Sequence, residues 1–374
     1  DAITNANVLN LTNSNGATFE GAVTATTINL TDTTNNADIL FQGNVTATTF
    51  NTATEGYDLS LTGGGNTFTN AVTFQNTGTL NLGNGSDTFT FNGGVTESTS
   101  GTVTLQGTIA SSNDAISFGN VTSGGTFTID TNATNGTGDI AIGAITAGNV
   151  NDTITLKTGN NISGADVTVS GAVSNNPNFQ LINVGGVSLF NDNINVATFT
   201  AGSTVGNVRF NGSSNIFQSS VSFSNDADLN IGNSSSDSST FNAGLNTTSV
   251  GGTVDLNGTI ATSNDAIVLG AVNIGNNVII DTNATGNAAD ITVGAIAGNS
   301  NNLTLSTGNN IAGADITASG NISGVTTLTL ADVGGTATLS ADVDVTTLTV
   351  GNTVANVAFT GNGSSVASSF TPAN

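Results

Sequence analysis

Residues Asp130–Ile145 read DTNATNGTGDIAIGAI, and Asp281–Ile296 read DTNATGNAADITVGAI, 151 residues further on. A loop and a strand that return with their aspartates in place mark an internal repeat. Such a repeat constrains a fold more tightly than composition does. The duplication runs well beyond this stretch. SGTVTLQGTIASSNDAISFGNV, from Ser100, returns as VGGTVDLNGTIATSNDAIVLGAV, from Val250. Thr102 maps on Thr253, Asn113 on Asn264, Asp114 on Asp265, Asp130 on Asp281 and Asp139 on Asp290. TGNNISGADVTVSG (Thr158–Gly171) returns as TGNNIAGADITASG (Thr307–Gly320) at a spacing of 149. Phe41, Phe190 and Leu339 keep that spacing, as do Phe50, Phe199 and Leu348. The chain therefore reads as a super-repeat of about 150 residues: 1–44 the tail of one copy, 45–195 and 196–344 two copies, 345–374 the start of another. That phasing is expected of a piece of a longer array, or of a subunit that joins copies of itself end to end.

A smaller motif, apolar–x–Gly–x–apolar, recurs inside each copy. It appears as FEGAV (Phe19–Val23), FQGNV (Phe41–Val45), FNGGV (Phe91–Val95), LQGTI (Leu105–Ile109), VSGAV (Val169–Val173) and LNGTI (Leu256–Ile260). The residues before it alternate, as in TFTF, TVTL, TITL and DVTV, which is the period of a strand with one buried face. The glycine then permits a tight corner or a close backbone approach. Helical periodicity is absent, and the good helix formers are nearly missing. The expected fold is all-β: a right-handed parallel β-helix, or β-solenoid, with about 20–25 residues per coil, one continuous domain over 1–374. Its core should be ladders of Val, Ile, Leu, Ala and Phe. The rival is a string of β-sandwich domains, against which stand short, evenly spaced strands and the lack of a linker.

Composition agrees and narrows the chemistry. Charged residues are only 7% of the chain, and Gly numbers 48. Lys157 and Arg209 face 25 acids, for a net charge of −23. Nucleic acid and anionic membrane surfaces need Lys and Arg clusters that this chain lacks. A polyanion attracts divalent cations instead. All acids but Glu20, Glu55 and Glu97 are Asp, a turn and cap residue, so the acids belong in loops. Without Cys, His, Met or Trp there is no disulfide framework and no thiol chemistry, and zinc and copper lose their usual ligands. No apolar run reaches the ~18 residues of a membrane span, and no signal peptide is visible at Asp1.

The best candidates for a site are Asp130, Asn132, Thr134 and Asp139, with Asp281, Asn283, Thr285 and Asp290. D-x-N-x-T sets oxygen side chains at alternate positions, as the start of a calcium loop does. Gly286 fits the sixth position in the second copy, and neither copy has the Glu at the twelfth. The competing reading is an Asx-turn loop that bonds its own backbone. Asp87 and Asp237, Asp114 and Asp265, and Asp166 and Asp315 also recur and read as solvated loop acids. NNISGAD and NNIAGAD are expected to stack as asparagine ladders. Thr-rich strands such as VTATTF (Val45–Phe50) and VTTLTV (Val345–Val350) would form a flat threonine face of the ice-binding kind. They read instead as ordinary strand residues, because the pairs do not recur at every coil.

Catalysis is not expected. Lys157 maps on Ser306 and Arg209 on Ala358, so neither is kept between copies, and Tyr57 is the lone polar aromatic. These repeats and this composition resemble the rods of large bacterial surface proteins: filamentous-haemagglutinin-like and autotransporter-like β-helical adhesins, and giant Asn/Thr/Gly-rich repeat proteins. The resemblance implies an extracellular structural rod, an adhesin shaft or the subunit of a surface filament or matrix. Its partners would be copies of itself and host or surface glycans. The alternatives are a ligand-binding solenoid for calcium, carbohydrate or ice, and a carbohydrate-active β-helix enzyme.

Overall fold

In the strand Val45–Thr52, burial alternates up to Thr48, breaks where Thr48 and Thr49 both face outward, and resumes at Phe50. Two neighbours on the outside mean that the strand has turned a corner while staying extended. Such bent strands and their shorter partners wrap the chain into turns of about 22 residues. A computed structural model describes residues 1–286 and 289–371. The pair 287–288, within the second copy of the repeated loop, lies outside the described residues. Among the described residues there is no helix, and every strand pairing is parallel. The β-solenoid expected from the repeats is the fold observed.

The chain divides into two compact units, Asp1–Asn191 and Asp192–Asn374. In the first, one wall stacks Ile3–Ser14, Val23–Thr33, Val45–Thr52, Gly65–Phe68, Thr88–Phe91, Thr102–Ser111, Val121–Ala133, Thr153–Gly159 and Asn178–Ile182. A second wall runs from Val72–Phe74 through Val95–Glu97, Ile116–Phe118, Ile140–Ile142 and Val167–Val169 to Val187–Phe190. A third stacks Ala17–Phe19, Asp38–Phe41, Asp58–Leu61 and Thr79–Leu82, and meets the first in Thr102–Ser111. The second unit repeats the scheme. Ser214–Phe217, Ser238–Phe241, Val254–Thr262, Val272–Ala284, Leu303–Gly308, Ile322–Ala331, Val343–Val350 and Ser365–Thr371 stack in one wall. Another runs from Val221–Ser222 to Asn356–Phe359.

The glycine motif works as its sequence implies. Gly107 in LQGTI and Gly258 in LNGTI sit in the left-handed region, at φ 89° and 73°, where the strand bends from one wall to the next. Gly43 serves the other purpose, since a Cβ there would lie 2.3 Å from the Gly21 carbonyl carbon of the turn beneath.

Inside, like sits on like. Phe19 stacks on Phe41 and Phe68 on Phe91, with ring centroids 4.5 and 4.9 Å apart. Phe217 and Phe241 form the matching pair in the second unit at 4.5 Å. Each buried ring contributes about 1.5–3 kcal/mol through removal from water. One coil alone has nothing to cover these rings, so stability arises from stacking.

Candidate functional site

The duplicated loop follows the strand Val121–Ala133 in the first unit and Val272–Ala284 in the second. Asp130 is 7% exposed, and its Oδ1 accepts the Asn132 N–H at 2.9 Å, an Asx turn. Asn132 adopts a left-handed φ of 48°, and its Nδ2 donates to the Ser111 carbonyl of the preceding turn at 2.9 Å. Asn113, also left-handed, holds the loop from below: its Oδ1 accepts the N–H groups of Thr134 and Asn135 at 2.6 and 2.9 Å. Asp139 lies later in the same turn, and its Oδ1 accepts the N–H of Asp166 in the turn above at 2.9 Å.

The second copy reproduces this bond for bond. Asn283 N–H donates to Asp281 Oδ1 at 2.8 Å, and Asn283 Nδ2 to the Thr262 carbonyl at 2.9 Å. Thr285 and Gly286 donate to Asn264 Oδ1 at 2.7 and 3.1 Å, and Asp315 N–H to Asp290 Oδ1 at 2.8 Å. The eight predicted ligands thus fall into two identical constellations in which the carboxylates and Asn amides mostly serve main-chain groups. Asp130 and Asn132 are at the end of the strand with Thr134 just past it, whereas the Asp139 carboxylate is committed to the next turn. Among the described residues, no three acidic, His or Cys side chains converge as metal ligands.

The copies differ in what stands across from the first aspartate. Lys157 Nζ lies 2.6 Å from Asp130 Oδ2. The register places Lys157 opposite Asp130, just as it places Ser306 opposite Asp281. Asp281 therefore has no cation across from it. Burial is the main cause that pushes its carboxyl up from the usual value, and the Asp332 charge adds to this. The Asn283 N–H and the Ser306 hydroxyl pull it part of the way back.

Two expectations need correction. Asp87 and Asp237 are buried rather than solvated, at 8% and 5% exposure. Their loops fold over the carboxylate, with Asn84 N–H donating to Asp87 and the Asn233 and Ser234 N–H groups to Asp237. Nor do the NNISGAD and NNIAGAD segments stack amide on amide. Asn160 and Asn309 donate instead to the main-chain carbonyls of Ala133 and Ala284. An asparagine ladder does exist elsewhere, on the outside of the first unit, where Asn51 donates to Asn29 and Asn29 to Asn10 at 2.7 and 2.8 Å.

Sequence reading missed an inward-facing set of hydroxyls. Ser111, Thr131 and Thr158 are buried, as are Thr262, Thr282 and Thr307 in the second unit. Thr131 Oγ1 donates to the Gly138 carbonyl at 2.7 Å and Thr282 Oγ1 to the Ala289 carbonyl at 2.8 Å. The repetition of Thr at both sites was the available signal. Its inward direction follows from the alternation of the same strand, in which Thr131 keeps step with Phe127 and Ile129.

No protein-family model matches the chain, and neither a curated protein nor a solved structure matches it.

Proposed function

We propose that the chain is a structural spacer, the shaft of an extracellular surface assembly or the subunit of a filament. The observation that carries this reading is the bond-for-bond reuse of one loop on equivalent turns of the two units. Within a unit, in-register stacking turns sequence into height at about 4.8 Å per turn. Asp58, Asp139, Asp166, Asp290 and Asp315 each accept a main-chain N–H from the next turn, so their chemistry serves cohesion. The net charge of −23 supports solubility and keeps flanks of neighbouring copies apart.

Contact with a further turn or a second copy is part of the proposal. Ser365–Thr371 pairs with Val343–Val350. Phe359, Val366 and Phe370 are 44%, 37% and 55% exposed and frame an apolar hollow with Val343 and Leu348. An exposed apolar strand edge accepts another strand. Electron microscopy of the purified chain over a range of concentrations tests this. Threads that lengthen with concentration are expected, while particles that stay single throughout count against end-to-end assembly. Depolymerisation of a glycan by the purified chain would overturn the structural reading itself.

A further inference from the structure

The outer face of the first unit carries an order that the spacer role does not require. Thr24, Thr46, Thr67 and Thr90 stand opposite one another on four successive turns, paired without a slip. Thr26, Thr48 and Thr69 follow two residues further along the first three. Thr88, Thr108 and Thr128 form a row on the other side. Parallel strands lie about 4.8 Å apart and rise about 3.3 Å per residue, so the hydroxyls repeat at about 4.8 Å across the turns and about 6.6 Å along them. The threonine pairs that looked sporadic in the sequence are therefore contiguous in space.

Three further features define what this face can hold. First, the hydroxyls of Thr24, Thr26, Thr46, Thr48, Thr67 and Thr69 have no protein partner among the described residues. By contrast, Thr49 Oγ1 accepts from Asn70 and Thr52 Oγ1 from Gln75 N–H. Second, the main chain at Ala25 and Ala47 floors an open trough walled by Thr24, Thr26, Thr46 and Thr48. Third, the Thr90 row meets no charge until Ala110 gives way to Asp130 and Lys157. The counterpart row in the second unit, Asn195, Ile216, Thr240 and Ala261, is equally uncharged up to Asp281, so what sets the first unit's row apart is its hydroxyls.

We propose that this threonine face binds the surface of an ice crystal. A ligand that fits it must repeat in two dimensions, carry no charge, and donate and accept hydrogen bonds equally. Water in a lattice does so. Each Thr hydroxyl offers one donor and two acceptors, and the γ-methyl beside it occupies space that mobile water would otherwise fill. A crystalline glycan would call for exposed aromatic rings to stack on, but the rings beneath these rows, Phe68 and Phe89, face inward and are fully buried. The second unit provides a contrast within the same molecule. The repeat positions of Thr46, Thr48, Thr67 and Thr69 hold Asn195, Ala197, Ile216 and Gln218. There the amides close on one another, with Gln218 Nε2 donating to Asn195 Oδ1 at 3.3 Å and Asn242 Nδ2 to Gln218 Oε1 at 2.7 Å.

Thermal hysteresis and ice-recrystallisation inhibition by the full chain test the proposal. The parent should show both. Thr48→Tyr, which places a bulky exposed ring on the middle turn of the Thr26, Thr48 and Thr69 row, should lose both while keeping the parent's circular dichroism and melting temperature. Gln42→Tyr, at an exposed position outside the rows, should retain them. A parent without either activity overturns the proposal, as does equal loss in the two tyrosine variants. Retention on crystalline cellulose or chitin without any effect on ice also overturns it, in favour of a glycan lattice.

Discussion

Tyr57 is fully buried in the first unit, and its hydroxyl closes no hydrogen bond. Thr52 lies nearby, but its hydroxyl already donates to the Thr73 carbonyl and accepts the Gln75 N–H. Burial is the main cause that pushes the phenol pKa up to about 12. Tyr57→Phe removes a buried polar atom and strands no partner. Unfolding in urea should show stability unchanged or raised by up to about 1 kcal/mol; a clear loss would mean that the hydroxyl is bonded. Asp281 offers a second test. Its folded pKa lies above the unfolded one, so the folded state holds the proton more tightly. The associated stability is present at low pH and is lost as pH rises through the folded pKa. Asp281→Asn should therefore raise the melting temperature at neutral pH and change it little in acid. Ser306→Lys, which copies the Asp130–Lys157 arrangement, should also raise it at neutral pH. Melting curves across pH check both, and a neutral-pH drop for Asp281→Asn would contradict the assignment.

At the scale of the strand and its corner, the glycines are the sensitive points. A Cβ on Gly107 would lie 2.3 Å from the Asp87 carbonyl oxygen, and one on Gly258 2.2 Å from that of Asp237. Both positions also need a left-handed backbone. Gly107→Ala or Gly258→Ala should cost about 2–5 kcal/mol, the sum of backbone strain and overpacking, as read by chemical denaturation. Asn113→Ala acts more locally. It leaves the Thr134 and Asn135 N–H groups without their acceptor, so their hydrogen exchange should accelerate while the amides of Val121–Ala133 stay protected. These corners were legible in the sequence because the glycine recurs in a fixed apolar frame. The walls were legible because each straight segment alternates with period two. Alternation cannot be carried across a corner, however. At Thr48–Thr49 two successive residues face out and the parity flips. Inward polar groups such as Asn66, Thr131 and Asn215 keep step with the buried apolar residues of their own strands, but an alternation read from apolar residues passes over a polar one. The candidate loop was legible as an Asx turn from Asp130 and Asn132 alone. Its Lys157 partner was not, since turn length varies: side-chain bonds between neighbouring turns span 19 residues for Asn29–Asn10 and 27 for Lys157–Asp130.

For the whole molecule, charge is the dominant variable. Twenty-five acids against two bases leave self-repulsion almost uncompensated. Raising ionic strength from 0.01 to 0.15 M shortens the screening length from about 30 to about 8 Å. The melting temperature should rise over that range, as scanning calorimetry can follow; a fall would mean that the Asp130–Lys157 pair outweighs the general repulsion. The short reach of the strand pairing has a temporal consequence as well. Each strand finds its neighbour about 22 residues back along the chain. At a synthesis rate of about 5–20 residues per second, a nascent turn has its template already in place within seconds of emerging. Folding in such a chain can keep pace with translation, each turn forming on the one made just before it.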